Sequence, residues 1–270
     1  MLLFSNIRDK INKKQALKVV IGLNNFNVSK IIQKVKAAEI AKATYVDVAA
    51  NSIILHEIRK KSSIPICVSS IDFSELYRCF QAGADLLEIG NFNVFYKKDI
   101  MLSAQQIISL ADKLIKKAPN ATICVTVPCY VSLAKQVDIA KRLEKLGVYM
   151  IQTEGYSNTG KLPLVRSLKN ASLSLSSTYI LSQNVQIPVI SASKINPLSA
   201  STAILAGAYG VAIGSFLYDK DNLWNLTESI FSVVRSIEIY NNTLIDSKNI
   251  SLCQNIICNY IVLDRIKVLY

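Results

Sequence analysis

Histidine is almost absent from this chain: His56 is the only one among 270 residues. No C-x-x-C pair exists among the six cysteines, Cys67, Cys79, Cys124, Cys129, Cys253 and Cys258, which mostly sit inside apolar runs. Together these absences argue against a zinc site or a Cys-His nucleophile, and point to reduced, packed thiols in a reducing compartment. No metal is expected. No stretch reaches the ~18 uncharged apolar residues of a membrane helix. The opening MLLFSNIRDK is too short an apolar run for a secretory signal and too poor in Arg and Ser for a transit peptide. A soluble protein made where it works is the expectation.

Acidic residues are also scarce. Asp and Glu number 19 against 31 Lys and Arg, a net charge of +12 with pI near 9.4. That balance suits an anionic partner. The lysines, however, are scattered over helical stretches such as 31–42 and 110–117 instead of clustering with aromatics, which disfavours nucleic acid. A solvated basic surface and small anionic metabolites remain.

What is present is a regular alternation. The stretch 187–217, IPVISASKINPLSASTAILAGAYGVAIGSFL, reads as strand, small polar loop, helix and strand. Asn196 caps the helix before Pro197, and Gly207 with Ala208 stops it. Upstream, β-type runs at 17–23, 45–50, 64–70, 86–90, 121–127 and 149–154 are each followed by a helical pattern, with Ser29 the expected cap of the first. Eight strand-then-helix units over about 225 residues predict an α/β fold, a single-domain (β/α)8 TIM barrel; an open doubly wound sheet is the alternative. The expected boundaries are 1–16 for an N-terminal helical cap, with helix over 6–15, 17–240 for the barrel and 241–270 for a C-terminal extension. The last helix is expected over 222–240. The apolar extension can pack on the barrel or form a homo-oligomer contact. Closure predicts 211–213 beside 19–21.

Side chains of a barrel strand alternate between the interior and the helices. Placing the aliphatic residues outward turns Asp47, Glu88, Cys124, Thr126, Gln152 and Glu154 inward. Buried acids need partners. One reading pairs them with Lys18 or nearby backbone as interior glue; the other makes Glu154, Asp47 and Glu88 catalytic carboxylates, with Glu154 first because it ends the sixth strand and opens the longest loop. His56 reads as a surface or packing residue.

The last two loops of such barrels often hold phosphate on backbone N–H groups and a helix N-terminus. Here Ser193, Lys194, Gly214 and Ser215 occupy those places. Lys194 stands where glycine is usual, and its ammonium can compensate by contacting the anion.

The stretches VDVAAN at 46–51, MIQTEG at 150–155, IPVISASKI at 187–195 and LAGAYGVAIGSFL at 205–217 resemble the hypothetical-chloroplast-reading-frame proteins shared by cyanobacteria and red algal plastids. The resemblance spans roughly 17–231. It implies a TIM barrel of uncharacterised activity in the plastid (chloroplast) stroma. In that family the seventh strand is followed by Ala-Ser-Gly, aligning with Ala192 and Ser193 and leaving Lys194 for the glycine. Three functions stay open: a lyase, isomerase or synthase converting a small phosphorylated metabolite; a non-catalytic metabolite- or protein-binding regulator; and a barrel holding FMN as cofactor.

Overall fold

A computed structural model describes residues 2–22, 25–90, 100–155 and 164–246. Eight short strands alternate with helices: β1 Ala16–Gly22, β2 Tyr45–Ala49, β3 Ile66–Ser70, β4 Leu86–Ile89, β5 Ile123–Thr126, β6 Met150–Gln152, β7 Val189–Ser191 and β8 Gly210–Ile213. All are parallel, each pairs with the next, and β8 pairs with β1 to close the barrel. The open-sheet alternative is thereby excluded.

The described helices are α1 Leu2–Asn12, α2 Val28–Ile40, α3 Ser52–Arg59, α4 Phe73–Gln81, α5 Ala104–Lys117, α6 Leu133–Leu146, α7 Leu164–Ser182, α8 Pro197–Leu205 and α9 Leu223–Asp246. Their starts are written in side-chain chemistry. Asn51, Asp72, Ser103, Ser132 and Asn196 each accept a hydrogen bond from a first-turn N–H. α2 is capped by Asn27 and not Ser29, because Asn27 Oδ1 accepts from Lys30 N–H and the helix starts at Val28, before Ser29. α1 begins at Leu2, four residues before the expected start, and α9 runs six residues past Tyr240. The extension beyond Asp246 and the loop 156–163 lie outside the described residues.

The seam sets Leu17, Lys18 and Val19 against Val211, Ala212 and Ile213. That register is two residues earlier in β1 than expected. Gly210 allows the close approach: a Cβ there would lie 2.5 Å from the Ala16 carbonyl oxygen.

The apolar residues divide into two cores. The larger lies between strands and helices, with Val46, Val48, Leu87, Ile89, Ile123, Val125 and Ile151 facing outward. The smaller fills the barrel's lower interior with Tyr45, Cys67, Leu86, Cys124, Met150 and Ile190, and α1 adds Ile7 and Ile11 to it.

Candidate functional site

The strand pairings order the interior into layers of four. Rising one residue per strand from Asp47 leads through Glu88, Gln152 and Ala212 and back to Asp47. Below this layer lie Lys18, Cys67, Cys124 and Ile190, and at the bottom Tyr45, Leu86, Met150 and Gly210. Above it come Val20, Ser69, Thr126 and Ala192. The same stepping puts Ala49, Gly90, Glu154 and Gly214 at the rim. Glu154 is the one long side chain of the rim set. Small residues fill the rest of the mouth's floor.

Lys18 reaches up into the acidic layer. Its Nζ pairs with a Glu88 carboxylate oxygen, lies 2.8 Å from Asp47 Oδ2 and donates to Gln152 Oε1 at 3.0 Å. Among the described residues no hydroxyl or amide donates to Asp47 Oδ2, so the Lys18 ammonium is its charge partner. From above, Ser69 Oγ donates to Asp47 Oδ1, and Thr126 Oγ1 donates to Glu88 Oε1 at 3.0 Å. Gln152 Nε2 also donates to Glu88 Oε1, at 2.8 Å. Lys18, Asp47 and Glu88 are all at most 1 % exposed.

Two carboxylates share one ammonium, so full ionisation leaves one excess buried negative charge. Burial drives the Asp47 pKa up to about 6; Lys18 opposes the rise and the Glu88 charge adds to it. Burial acts to lower the Lys18 pKa, but Asp47 and Glu88 outweigh it and raise it well above the ordinary lysine value. Lys18 is therefore an ammonium at neutral pH and not a free nucleophilic amine. Burial likewise pushes the Cys67 and Cys124 thiols well up, which makes them inert packing groups.

Glu154 is buried at the rim, where Cys129 N–H faces its Oε2 at 3.4 Å. Its charge adds to the effect of burial in raising the Tyr130 pKa. Tyr130 Oη in turn donates to the Leu102 carbonyl. One layer of small side chains separates Glu154 from Asp47 and Glu88.

The loop after β7 turns on two successive left-handed residues, Ser193 (φ 77°) and Lys194 (φ 59°). Lys194 thus keeps the backbone conformation that favours glycine, which costs a side-chain-bearing residue about 1 kcal/mol or more. Ser193 Oγ donates to the Gly155 carbonyl at 2.7 Å, and Ser174 Oγ donates to the Ser193 carbonyl at 3.0 Å. The turn is therefore braced from two sides. At α8, Asn196 Oδ1 already accepts from the Leu198 and Ser199 N–H groups. Those two first-turn N–H groups of α8 are thereby satisfied within the chain. Gly214 precedes the 3-10 turn Ser215–Leu217, and a Cβ at Gly214 would meet Val20 Cβ at 3.1 Å.

Ser69 and Tyr130 were not singled out in the sequence, and Lys18 entered only as a counter-charge. The period-2 step from Cys67 to Ser69 is the signal that marks Ser69 as inward. For Tyr130, a loop residue, no such period exists. His56 is exposed on α3. Among the described residues, no cluster of His, Cys, Asp or Glu has the makings of a metal site.

Residues 3–243 match the family described as "Protein of unknown function (DUF561)". The chain belongs to this family. Relatives of this DUF561 member include the "Uncharacterized protein ycf23" of Pyropia yezoensis, 38% identical over 261 residues that cover 95% of this chain and 94% of the relative. The ycf23 protein of Antithamnion sp. is 42% identical over 258 residues, covering 89% and 93%. The ycf designation is that of plastid reading frames.

Solved structures share the barrel at low identity. Thiamine phosphate pyrophosphorylase from Pyrococcus furiosus aligns with TM-score 0.56 and 16% identity over 85% of this chain and 98% of that one. The (S)-3-O-geranylgeranylglyceryl phosphate synthase from Thermoplasma acidophilum, in complex with sn-glycerol-1-phosphate, aligns with TM-score 0.57 and 15% identity over 88% and 98%. At such identity the likeness establishes the fold alone.

Proposed function

We propose that this protein binds, and converts, a small phosphorylated metabolite at the C-terminal mouth of the barrel. In this reading the phosphate rests on the backbone N–H groups of Ser193, Lys194, Gly214 and Ser215, with the Lys194 ammonium as a charge-assisted contact. Glu154 is the proton-transfer group. Asp47 and Glu88 act from beneath, through Ser69 and Thr126, by fixing the charge of the floor.

The observation that carries the reading is the braced left-handed pair Ser193–Lys194, which holds a strained turn at the place where such barrels bind phosphate. Two of the similar structures are named for phosphorylated compounds, thiamine phosphate and geranylgeranylglyceryl phosphate. The plastid stroma is the proposed compartment. No helix among the described residues is long and apolar enough to cross a membrane.

Native mass spectrometry of protein purified from its own compartment tests the proposal: a co-purifying mass that carries phosphate and is lost on Lys194→Ala supports it. A yellow protein releasing FMN would favour the flavin reading instead. Once a ligand is in hand, Glu154→Gln separates enzyme from regulator. Loss of turnover with binding retained marks an enzyme, whereas weakened binding with no turnover in the parent marks a sensor.

A further inference from the structure

Helix α9 has two apolar faces, and only one belongs to the core. Leu226, Ile230, Val233 and Ile237 are buried against the rest of the barrel. At 3.6 residues per turn, the side about 180° away carries Trp224, Glu228, Phe231, Arg235 and Ile239. Trp224 is 72% exposed, Ile239 63% and Phe231 39%. Trp224 is the only tryptophan in the chain. Three large apolar groups thus stand exposed in line on one face of α9.

The order of residues along the stripe is self-complementary. Trp224 lies seven residues before Phe231, and Ile239 seven after Ser232. Glu228 lies three before Phe231, and Arg235 three after Ser232. Laid antiparallel on a copy of itself about the Phe231–Ser232 peptide, the helix brings Trp224 to Ile239, Glu228 to Arg235 and the two Phe231 rings together. The arrangement has the two-fold symmetry of an isologous dimer. Arg235 already lies over the Phe231 ring, 5.7 Å from its centroid, on the same face. Among the described residues neither Glu228 nor Arg235 forms an ion pair.

Charge narrows the choice of occupant. The chain carries +12, so most faces of two copies repel, whereas this stripe holds one acid and one base. Antiparallel packing gives two Glu228–Arg235 pairs flanking a Phe231 centre, an apolar core with charged edges of the kind that fixes register.

We infer that the protein forms a homodimer through the outward face of α9, with a second copy of the same helix as its partner. This does not depend on the phosphate reading. Sedimentation velocity on the full chain, over a range of concentrations reaching about 100-fold above the lowest detectable, tests it. A monomer–dimer equilibrium is expected. Phe231→Asp should leave a monomer with unchanged circular dichroism. Glu228→Arg and Arg235→Glu should each weaken association at least tenfold by setting like charges opposite, and the double reversal E228R/R235E should restore it. A protein monomeric throughout overturns the inference, as does a dimer indifferent to these changes or one that the double reversal fails to restore.

Discussion

Lys18 is the residue on which the barrel's interior depends. Removing its ammonium strands two buried carboxylates, and breaking such a cluster from one side costs about 3–5 kcal/mol. Lys18→Met should therefore lower stability by that order in urea unfolding, and K18M/D47N/E88Q should recover part of it. Asp47 supplies a pH dependence of opposite character. Its folded pKa of about 6 exceeds the ordinary carboxylate value near 4, so the folded state holds this proton more tightly than the unfolded chain. The resulting stabilisation is full below about pH 4 and is lost as pH rises through about 6. Lys18, raised above its ordinary value, contributes fully throughout that window and fades only on the alkaline side. Asp47→Asn should flatten the stability profile between about pH 4 and 7, measured as urea midpoints. A profile as steep as the parent's would mean that another group titrates there.

At the scale of elements, strand parity was readable and loop conformation was not. Alternation of apolar and polar residues in Val46–Val48 and Leu87–Ile89 fixes which side chains meet the helices, so Asp47 and Glu88 could face only the interior. Whether they pair with Lys18 was left open, because a four-carbon side chain can reach the next layer and parity says nothing about reach. The glycine usual at position 194 hints at left-handed backbone there, but nothing in Ser193 marks a second such residue; the pair is braced by Ser174 and Gly155. Lys194→Gly should therefore stabilise the fold by about 1 kcal/mol, less any gain in unfolded-chain entropy. The β1–β8 seam bears a different test. Gly210→Ala puts a methyl 2.5 Å from the Ala16 carbonyl oxygen, which only backbone movement can relieve. A loss of about 1–3 kcal/mol is expected in denaturant unfolding, and a neutral variant would show that the seam is looser than the close approach implies.

For the whole molecule, the division of labour follows from the layering. Apolar residues and α1 fill the lower interior, a charged layer with one excess carboxylate lies in the middle, and small side chains with Glu154 make the rim. The eightfold alternation made the barrel legible from sequence, while the shape of its mouth depends on loop geometry and charge balance that no local pattern encodes. The central claim is that the loops after β7 and β8 hold phosphate. Amide chemical-shift titration with inorganic phosphate and a simple phosphate monoester, at low salt, examines it directly. Shifts should concentrate at Ser193, Lys194, Gly214 and Ser215, and Lys194→Ala should weaken binding by roughly one to two orders of magnitude, the effect of a charge-assisted contact of about 1.5–3 kcal/mol. Shifts spread over the surface lysines, with these four amides unmoved and Lys194→Ala binding like the parent, would contradict it.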